Sequence, residues 1–306
     1  MEKEIFSVIP MRTWRWLGVN EALLPEELLQ KQPQKAEEFA GESSVINSIE
    51  TKNETAIPAT QRQIHVSAGK REDVTITWRT EQRSQIVAEV EEGGTLNLIC
   101  VQTLPSDKAY AGEVTITAGE KAKVTDTAVE AGASEALTKL QINLAGDGSA
   151  ADVAAVYFGD KERKIDLNYV ITHTGRNTEA DMQVRGALKD SCDKIFRGTL
   201  DFRHGCRGSA GREKEEVILF NEGIRNRSVP LMLSGEDEVS GHHAVSAGRM
   251  DKDKLFYLMS RGLDENAAQK LLVEALFLPV LARIPDPALR EEITKDLEER
   301  IADGRQ

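Results

Sequence analysis

The chain has 306 residues, 40% of them hydrophobic but only 5% aromatic; that length can bury a full core without disulfide staples, and the composition favours thin layers of Val, Ile, Leu and Ala over aromatic-lined pockets for bulky ligands. A formal net charge of −12 repels phosphate backbones, and no Lys/Arg stripe interleaved with aromatics offsets it, which argues against nucleic acid as a partner. Three cysteines without CxxC spacing and no apolar leader in Met1–Pro10 give the expectation of a reduced, cytoplasmic protein, and Leu271–Ile284, broken by Glu274, Pro279 and Arg283, falls short of the ~18 apolar residues that span a membrane.

A short helix is predicted around Asn20–Gln30, followed by a polar, weakly periodic stretch, Gln32–Glu54. Residues 1–60 therefore read as an N-terminal arm and linker. From Ile64 to Leu233 short apolar-alternating runs take over: Val74–Trp78, Ile86–Val90, Leu96–Ile99, Val114–Ile116, Leu140–Leu144, Val153–Phe158 and Ile165–Ile171 each predict a strand. Gly-rich corners separate them, at Glu92–Gly94, Glu130–Ala133 and Ala145–Gly148, where the backbone needs unusual φ/ψ values.

Such strands close a sandwich or stack as coils of a β-solenoid. A phrase Val-Glu-x-Gly recurs at Val90–Gly93 and Val129–Gly132, and small residues recur at Gly198, Gly205, Gly208 and Gly211, where coils would approach closely. Both observations favour the solenoid, with its core over residues 61–248. Residues 249–306 change to helical texture: Asp251 caps Lys252–Arg261, Gly262 stops it, Asp264 caps Glu265–Leu278, and Pro285 and Pro287 precede a last helix, Ala288–Ala302.

No GxxxxGK[ST] phosphate loop, GxGxxG, HExxH or GxSxG occurs, so the sequence shows no nucleotide cradle and no catalytic motif, and the chain reads as a non-enzyme. One polar constellation stands out, Ser240-Gly-His-His-Ala-Val-Ser246, with two of the five histidines. On a strand His242 and His243 face opposite ways, so one of them at most serves a given site. Either they are junction histidines, or one belongs to a metal or sulfur site that a partner completes, since a lone imidazole does not hold a metal. Cys206 lies between His204 and Arg207, cations that would lower its pKa if they faced the thiol; a buried, inert cysteine is the plainer reading. Leu255, Leu258, Leu271, Leu272, Ala275 and Leu276 stand at helical spacing, a stripe that serves the core and leaves apolar surface for a partner.

Ser228-Val-Pro230, Val239–Gly248, Asp251 and Leu255–Gly262 together resemble the SufB/SufD family signature, which has a Ser-Ile-Pro phrase, V-x-C-S-H-G-A-T-V-G and FYL-x-SRG; Phe196–Gly198, Gly205, Gly208, Ser209 and Leu219 match its spacing upstream. The resemblance covers about Thr172 to Ile301. It implies a right-handed parallel β-helix with an N-terminal segment and a C-terminal α-helical part, in a scaffold subunit for iron–sulfur cluster assembly. Residue by residue, the signature His falls on His243, the signature Cys on Gly241, the first Ser on His242 and the following Gly on Ala244. Where SufB members carry a sulfur-relay Cys, this chain has Glu213–Glu216, so the resemblance is to SufD rather than SufB.

The partners implied are a SufC-like ATPase and a SufB-like paralogue or a second copy of the chain. The ATPase would dock on Lys252–Leu278, with Leu255, Phe256, Tyr257, Arg261, Leu271 and Leu272 as contact candidates. No tightly bound cofactor is expected in the isolated chain; a transient cluster or iron would sit at the shared interface, with His243, His242 and Cys206 as candidates. A rival reading, a β-helix enzyme on polysaccharides, needs grouped carboxylates and aromatic platforms; Asp166, Asp181 and Asp201 are candidates, but aromatics are scarce. A hexapeptide-repeat acyltransferase is weaker still, for want of a six-residue repeat.

Overall fold

The computed structural model describes residues 4–11, 17–29, 37–39, 44–46, 60–80 and 83–303. The arm begins with β1 (Ile5–Val8) and β2 (Glu21–Leu23), paired antiparallel, and a single 3-10 turn at Glu26–Leu28. The helix predicted over Asn20–Gln30 is thus a strand and a turn. Pro25 is the reason: it sits in extended backbone and biases Leu24 before it away from helical φ/ψ. Within Gln32–Glu54, read as linker, β3 (Glu37–Phe39) and β4 (Ser44–Ile46) already join the main sheets; the rest of that stretch lies outside the described residues.

The strands then alternate between two parallel stacks. One runs from β3 through β5 (Thr60–Val66), β7 (Arg83–Val90), β9 (Ala109–Ala118), β11 (Glu135–Leu144), β13 (Lys164–His173) and β15 (Asp193–Phe202) to β17 (Arg225–Ser234). The other runs from β4 through β6 (Arg71–Trp78), β8 (Thr95–Gln102), β10 (Lys123–Glu130), β12 (Ala150–Gly159), β14 (Glu179–Leu188) and β16 (Ala210–Leu219) to β18 (Ser240–Arg249). Each strand pairs with the next but one in sequence, so the chain winds coil upon coil as a β-solenoid, in agreement with the predicted fold class.

The corners explain the glycines. Gly93, Lys121, Gly148, Asn177 and Gly208 all have positive φ, between 53° and 74°. Each donates its N–H to the carbonyl one coil further on (Glu120, Asp147, Arg176, Arg207 and Glu238) at 2.7–2.9 Å, a ladder that holds even Lys121 in the left-handed region. Gly146 is needed for closeness instead: a Cβ there would lie 2.0 Å from the Glu120 nitrogen. The two Val-Glu-x-Gly phrases fall on different corners, one after β7 and one after β10, so they mark tight corners and not the coil period.

Inward positions alternate along every strand and form one continuous core from Ile64 to Val217. Both outer faces are partly covered. The arm lays Ala22, Leu24 and Leu28 on Ala109, Ala111 and Leu137, and buried Arg197 ties it down, donating to the Val19 and Glu21 carbonyls and to Asp166. The opposite sheet carries α2 (Glu265–Leu281) and α3 (Pro287–Ala302), which follow α1 (Lys252–Ser260). Val273, Phe277, Val280, Ile293 and Leu297 pack there on Val129, Val156 and Phe158. Strand β12 is buried on both faces for that reason and reads as a nearly continuous apolar run. Among the described residues no helix is long and apolar enough to cross a membrane.

Candidate functional site at the open end of the solenoid

Strands β17 and β18 end their sheets: each is hydrogen-bonded on one side, to β15 and β16, and has no strand neighbour on the other among the described residues. The last coil is therefore a mouth with two ten-residue edges. Register decides what faces into it. Gly241 points inward, since a Cβ there would meet Met232 and Phe202; His243 and Val245 share that face by strand alternation. His242 lies on the outer face with Ser240, whose hydroxyl is 3.4 Å from its Nε2. Both histidines are exposed, His243 at the rim of the interior and His242 on the flank.

Beneath His243, as its partner on the neighbouring strand, stands Glu213. Glu213 and Glu215 alternate with exposed Arg212 and half-buried or exposed Lys214 and Glu216, so both carboxyls enter the core, 2% and 0% exposed. Glu215 is well served: it accepts from the Lys194 ammonium and, at 2.8 Å, from the Tyr157 hydroxyl. Lys194 also donates to the Arg227 carbonyl at 3.2 Å and to Ser228 at 3.1 Å. Burial holds the Lys194 pKa below its ordinary value, with the Glu215 carboxylate opposing that shift. Among the described residues neither oxygen of Glu213 has a hydrogen-bond partner. Burial, and secondarily the charge of Glu215, pushes its carboxyl up to about 8. Across the interior Gly198 makes room for it: a Cβ there would lie 2.0 Å from Glu213 Oε1.

The other candidates lie elsewhere. Cys206 is buried in the corner between β15 and β16, with the pKa raised chiefly by burial. Its flanking cations turn away, Arg207 toward Glu236 and Glu238 and His204 toward Glu236, so they do not activate the thiol. Cys100 and Cys192 are buried and raised as well. At the helical end α1 buries none of its residues. Phe256 is 74% exposed and Tyr257 55%, with Arg261 over the Tyr257 ring at 5.2 Å; Leu255 is half-buried. The stripe on α2 is rotated from the predicted one: Val273, Phe277, Val280 and Leu281 face the core, whereas Leu271 and Leu278 are exposed and Leu272 and Leu276 are half-buried. Leu272, Ala275 and Leu276 line a groove of about 390 Å³ together with Lys254 and Met250.

Asp166, Asp181 and Asp201 do not form a catalytic group. Asp166 is clamped by Arg197, Asp201 pairs with Arg203, and Asp181 lies on the other sheet beside Gln183 and Arg212. Among the described residues no three His, Cys, Asp or Glu side chains come together as a ready metal cage.

The chain is thus a parallel solenoid with helices on the outer face of one sheet and one imidazole at the rim of its last coil. The family model for the SUF system FeS cluster assembly SufBD core domain matches residues 49–276, well over half of the chain, which therefore belongs to the SufB/SufD family. The "Iron-sulfur cluster assembly protein SufD" of Bacillus subtilis (strain 168) is 31% identical over 159 residues, covering 52% of this chain and 36% of that protein. A SufBD family protein of Mycobacterium leprae (strain TN) is 24% identical over 220 residues, 69% of this chain and 56% of that protein. Another, from Mycobacterium tuberculosis (strain ATCC 25618 / H37Rv), is 27% identical over 168 residues, 52% of this chain and 42% of that protein. The chain thus spans between about a third and just over half the length of these relatives. A second family model, the DnaB-helicase binding domain of primase, matches residues 257–301, the helical end alone, too little of the chain to assign a family.

Proposed function

We propose that the chain is a SufD-like, non-catalytic scaffold subunit of a SUF-type cluster-assembly complex in the cytoplasm. A SufB-like paralogue, or a second copy of this chain, joins it at the open end, and a SufC-like ATPase docks on the helical end and supplies ATP-driven movement. Iron or a nascent cluster is held transiently at the shared mouth and leaves with the product. The observation that carries this reading is the location of His243 at the rim of the interior, on one of two edge strands that have no further strand neighbour among the described residues, in a member of this family. Free edges invite pairing with another chain. The exposed Phe256, Tyr257 and Leu278 supply the apolar face that an ATPase would cover.

The test is binding of a SufC homologue encoded beside this chain. Complex formation at micromolar concentrations supports the assignment; its absence refutes it. Phe256→Asp should abolish that binding while the solenoid melts as before. In a reconstituted complex His243→Ala should slow cluster assembly, whereas His242→Ala, on the outer flank, should leave it unchanged.

A further inference from the structure

The hairpin of β1 and β2 carries apolar residues on both of its faces. Ala22 and Leu24 pack inward on the solenoid, together with Leu28 from the turn that follows. On the outside Ile5, Val8, Met11 and Leu23 are 38–54% exposed. Ile5 and Leu23 are register partners, ~5 Å apart at Cβ. The irregularity between Ile5 and Ser7 shifts the alternation by one residue, so Ser7 and Ile9 turn inward and Val8 joins Ile5 outside. From Ile5 to Met11 the row runs up to ~20 Å at ~3.3 Å per residue. An exposed apolar row with a polar rim marks an interaction surface, and this rim has one sign. Residues 4–11 and 17–29 hold four glutamates and no Lys or Arg. Glu4 is paired with Arg83, whereas the exposed Glu21, Glu26 and Glu27 make no ion pair among the described residues.

We propose that the outer face of this hairpin docks an amphipathic helix of a partner protein, with Lys or Arg flanking its apolar stripe. Carbonyls of both strands are already taken by solenoid side chains, which argues against an added third strand: Val8 accepts from Asn168 at 3.3 Å, and Val19 and Glu21 accept from Arg197. The face is what remains open. A helix of about 13 residues covers ~20 Å at ~1.5 Å per residue. Its apolar side lies on Leu23, Ile5 and Val8, and a cleft of about 220 Å³ beside Ile5 and Phe6 receives one of its side chains. The carboxylates of that cleft, Glu4 and Glu113, are engaged by Arg83 and Lys139. The charge open to a partner is therefore that of Glu21, the register partner of Val8, and of Glu26 and Glu27 just after β2. These carboxylates attract a basic helix and repel both an anionic membrane surface and nucleic acid. Because the hairpin lies on the sheet opposite α2 and α3, a partner seated on the helical end leaves this face free.

The experiment titrates the full chain into two labelled synthetic helices of the same pattern, one of Leu and Lys and one of Leu and Glu, and follows fluorescence anisotropy at low and high salt. The Leu/Lys helix should bind with micromolar affinity that weakens as salt rises, and the Leu/Glu helix should not bind. Glu21→Lys combined with Glu26→Lys, and separately Leu23→Asp, should each weaken binding by ~10-fold or more, the equivalent of ~1.4 kcal/mol. Melting temperatures check that the variants fold, and the charge reversal at exposed positions carries the test if Leu23→Asp does not. Glu291→Lys combined with Glu299→Lys reverses as many exposed charges on α3 and should leave binding at the wild-type level. Equal losses in the two charge-reversed variants mean attraction to the net charge of the chain, and unchanged binding by the hairpin variants means another surface. Either result overturns the site, as does a wild type that binds neither helix. A wild-type dimer in sedimentation that Leu23→Asp splits makes a second copy the occupant and overturns it as well.

Discussion

Deep in the solenoid, Asp126 on β10 faces inward between Leu98 and Val153, its partners on the flanking strands. It is 2% exposed, and its Oδ1 has no hydrogen-bond partner among the described residues. Burial pushes its pKa up to about 7 from 3.8. A carboxyl with a raised folded-state pKa keeps its proton in the fold after the unfolded chain has released it. The stability tied to it is fully present below about pH 4 and is lost as pH rises through about 7. A shift of about three pH units at ~1.4 kcal/mol each is on the order of 4 kcal/mol. Asp126→Asn removes the titrating group while keeping its shape. Urea unfolding followed by the fluorescence of buried Trp78, at pH 5, 6, 7 and 8, should show the stability of wild type relative to Asp126→Asn falling by ~1.4 kcal/mol per pH unit up to about pH 7 and then levelling off. A difference that stays constant across this range would refute the claim that Asp126 is held neutral by burial.

Glu130, raised to about 7 by burial and half-satisfied by the Thr138 hydroxyl at 2.7 Å, should give Glu130→Gln a smaller effect of the same sign, measured in the same series. Gly146→Ala places a Cβ against the Glu120 backbone and should destabilise by roughly 3 kcal/mol or more; an unchanged melting temperature contradicts the tight corner. Lys194→Met leaves buried Glu215 without its main partner and should cost about 3–5 kcal/mol in denaturant unfolding, while a variant of wild-type stability would contradict a buried ion pair that supports the fold. All three cysteines are buried with raised pKa values, so none should react with a thiol reagent until denaturant is added; rapid labelling of the native chain would contradict the placement of Cys206.

The β-solenoid was legible because its interior is one side-chain layer deep on each sheet, and every inward position must alternate. Val74–Trp78, Leu140–Leu144 and Ile165–Ile171 show that period directly, and the corner glycines mark where it breaks. The arm was not legible in the same way. Asn20–Gln30 has helical spacing, but Pro25 and the apolar face that Leu24 and Leu28 lay on the solenoid decide its form, and that face is invisible without the sheet it covers. For α2 the helical spacing is legible, but the spacing alone does not say which side packs on the solenoid. Both sides of that helix are apolar, and contact with β10, β12 and β14 selects Val273, Phe277 and Val280 over Leu271 and Leu278.

At the mouth, His243 could be read from the sequence and buried Glu213 was masked by its own composition. His243 was picked out with His242, and alternation separates the two once β18 has a register. Glu213 lies in Gly211-Arg-Glu-Lys-Glu-Glu-Val217, which looks like a solvated charge run, because the eye weighs the charge before the period. Counted in twos from Gly211, the same run puts Glu213, Glu215 and Val217 in the core and Arg212, Lys214 and Glu216 outside. The signal was therefore present: strands before it bury apolar residues at these positions, such as Met182 and Val184 on β14, in register with Glu213 and Glu215. A solenoid that replaces two core aliphatics with carboxyls one coil short of its open end supplies a cation for just one of them, which leaves Glu213 as a destabilising group in its core.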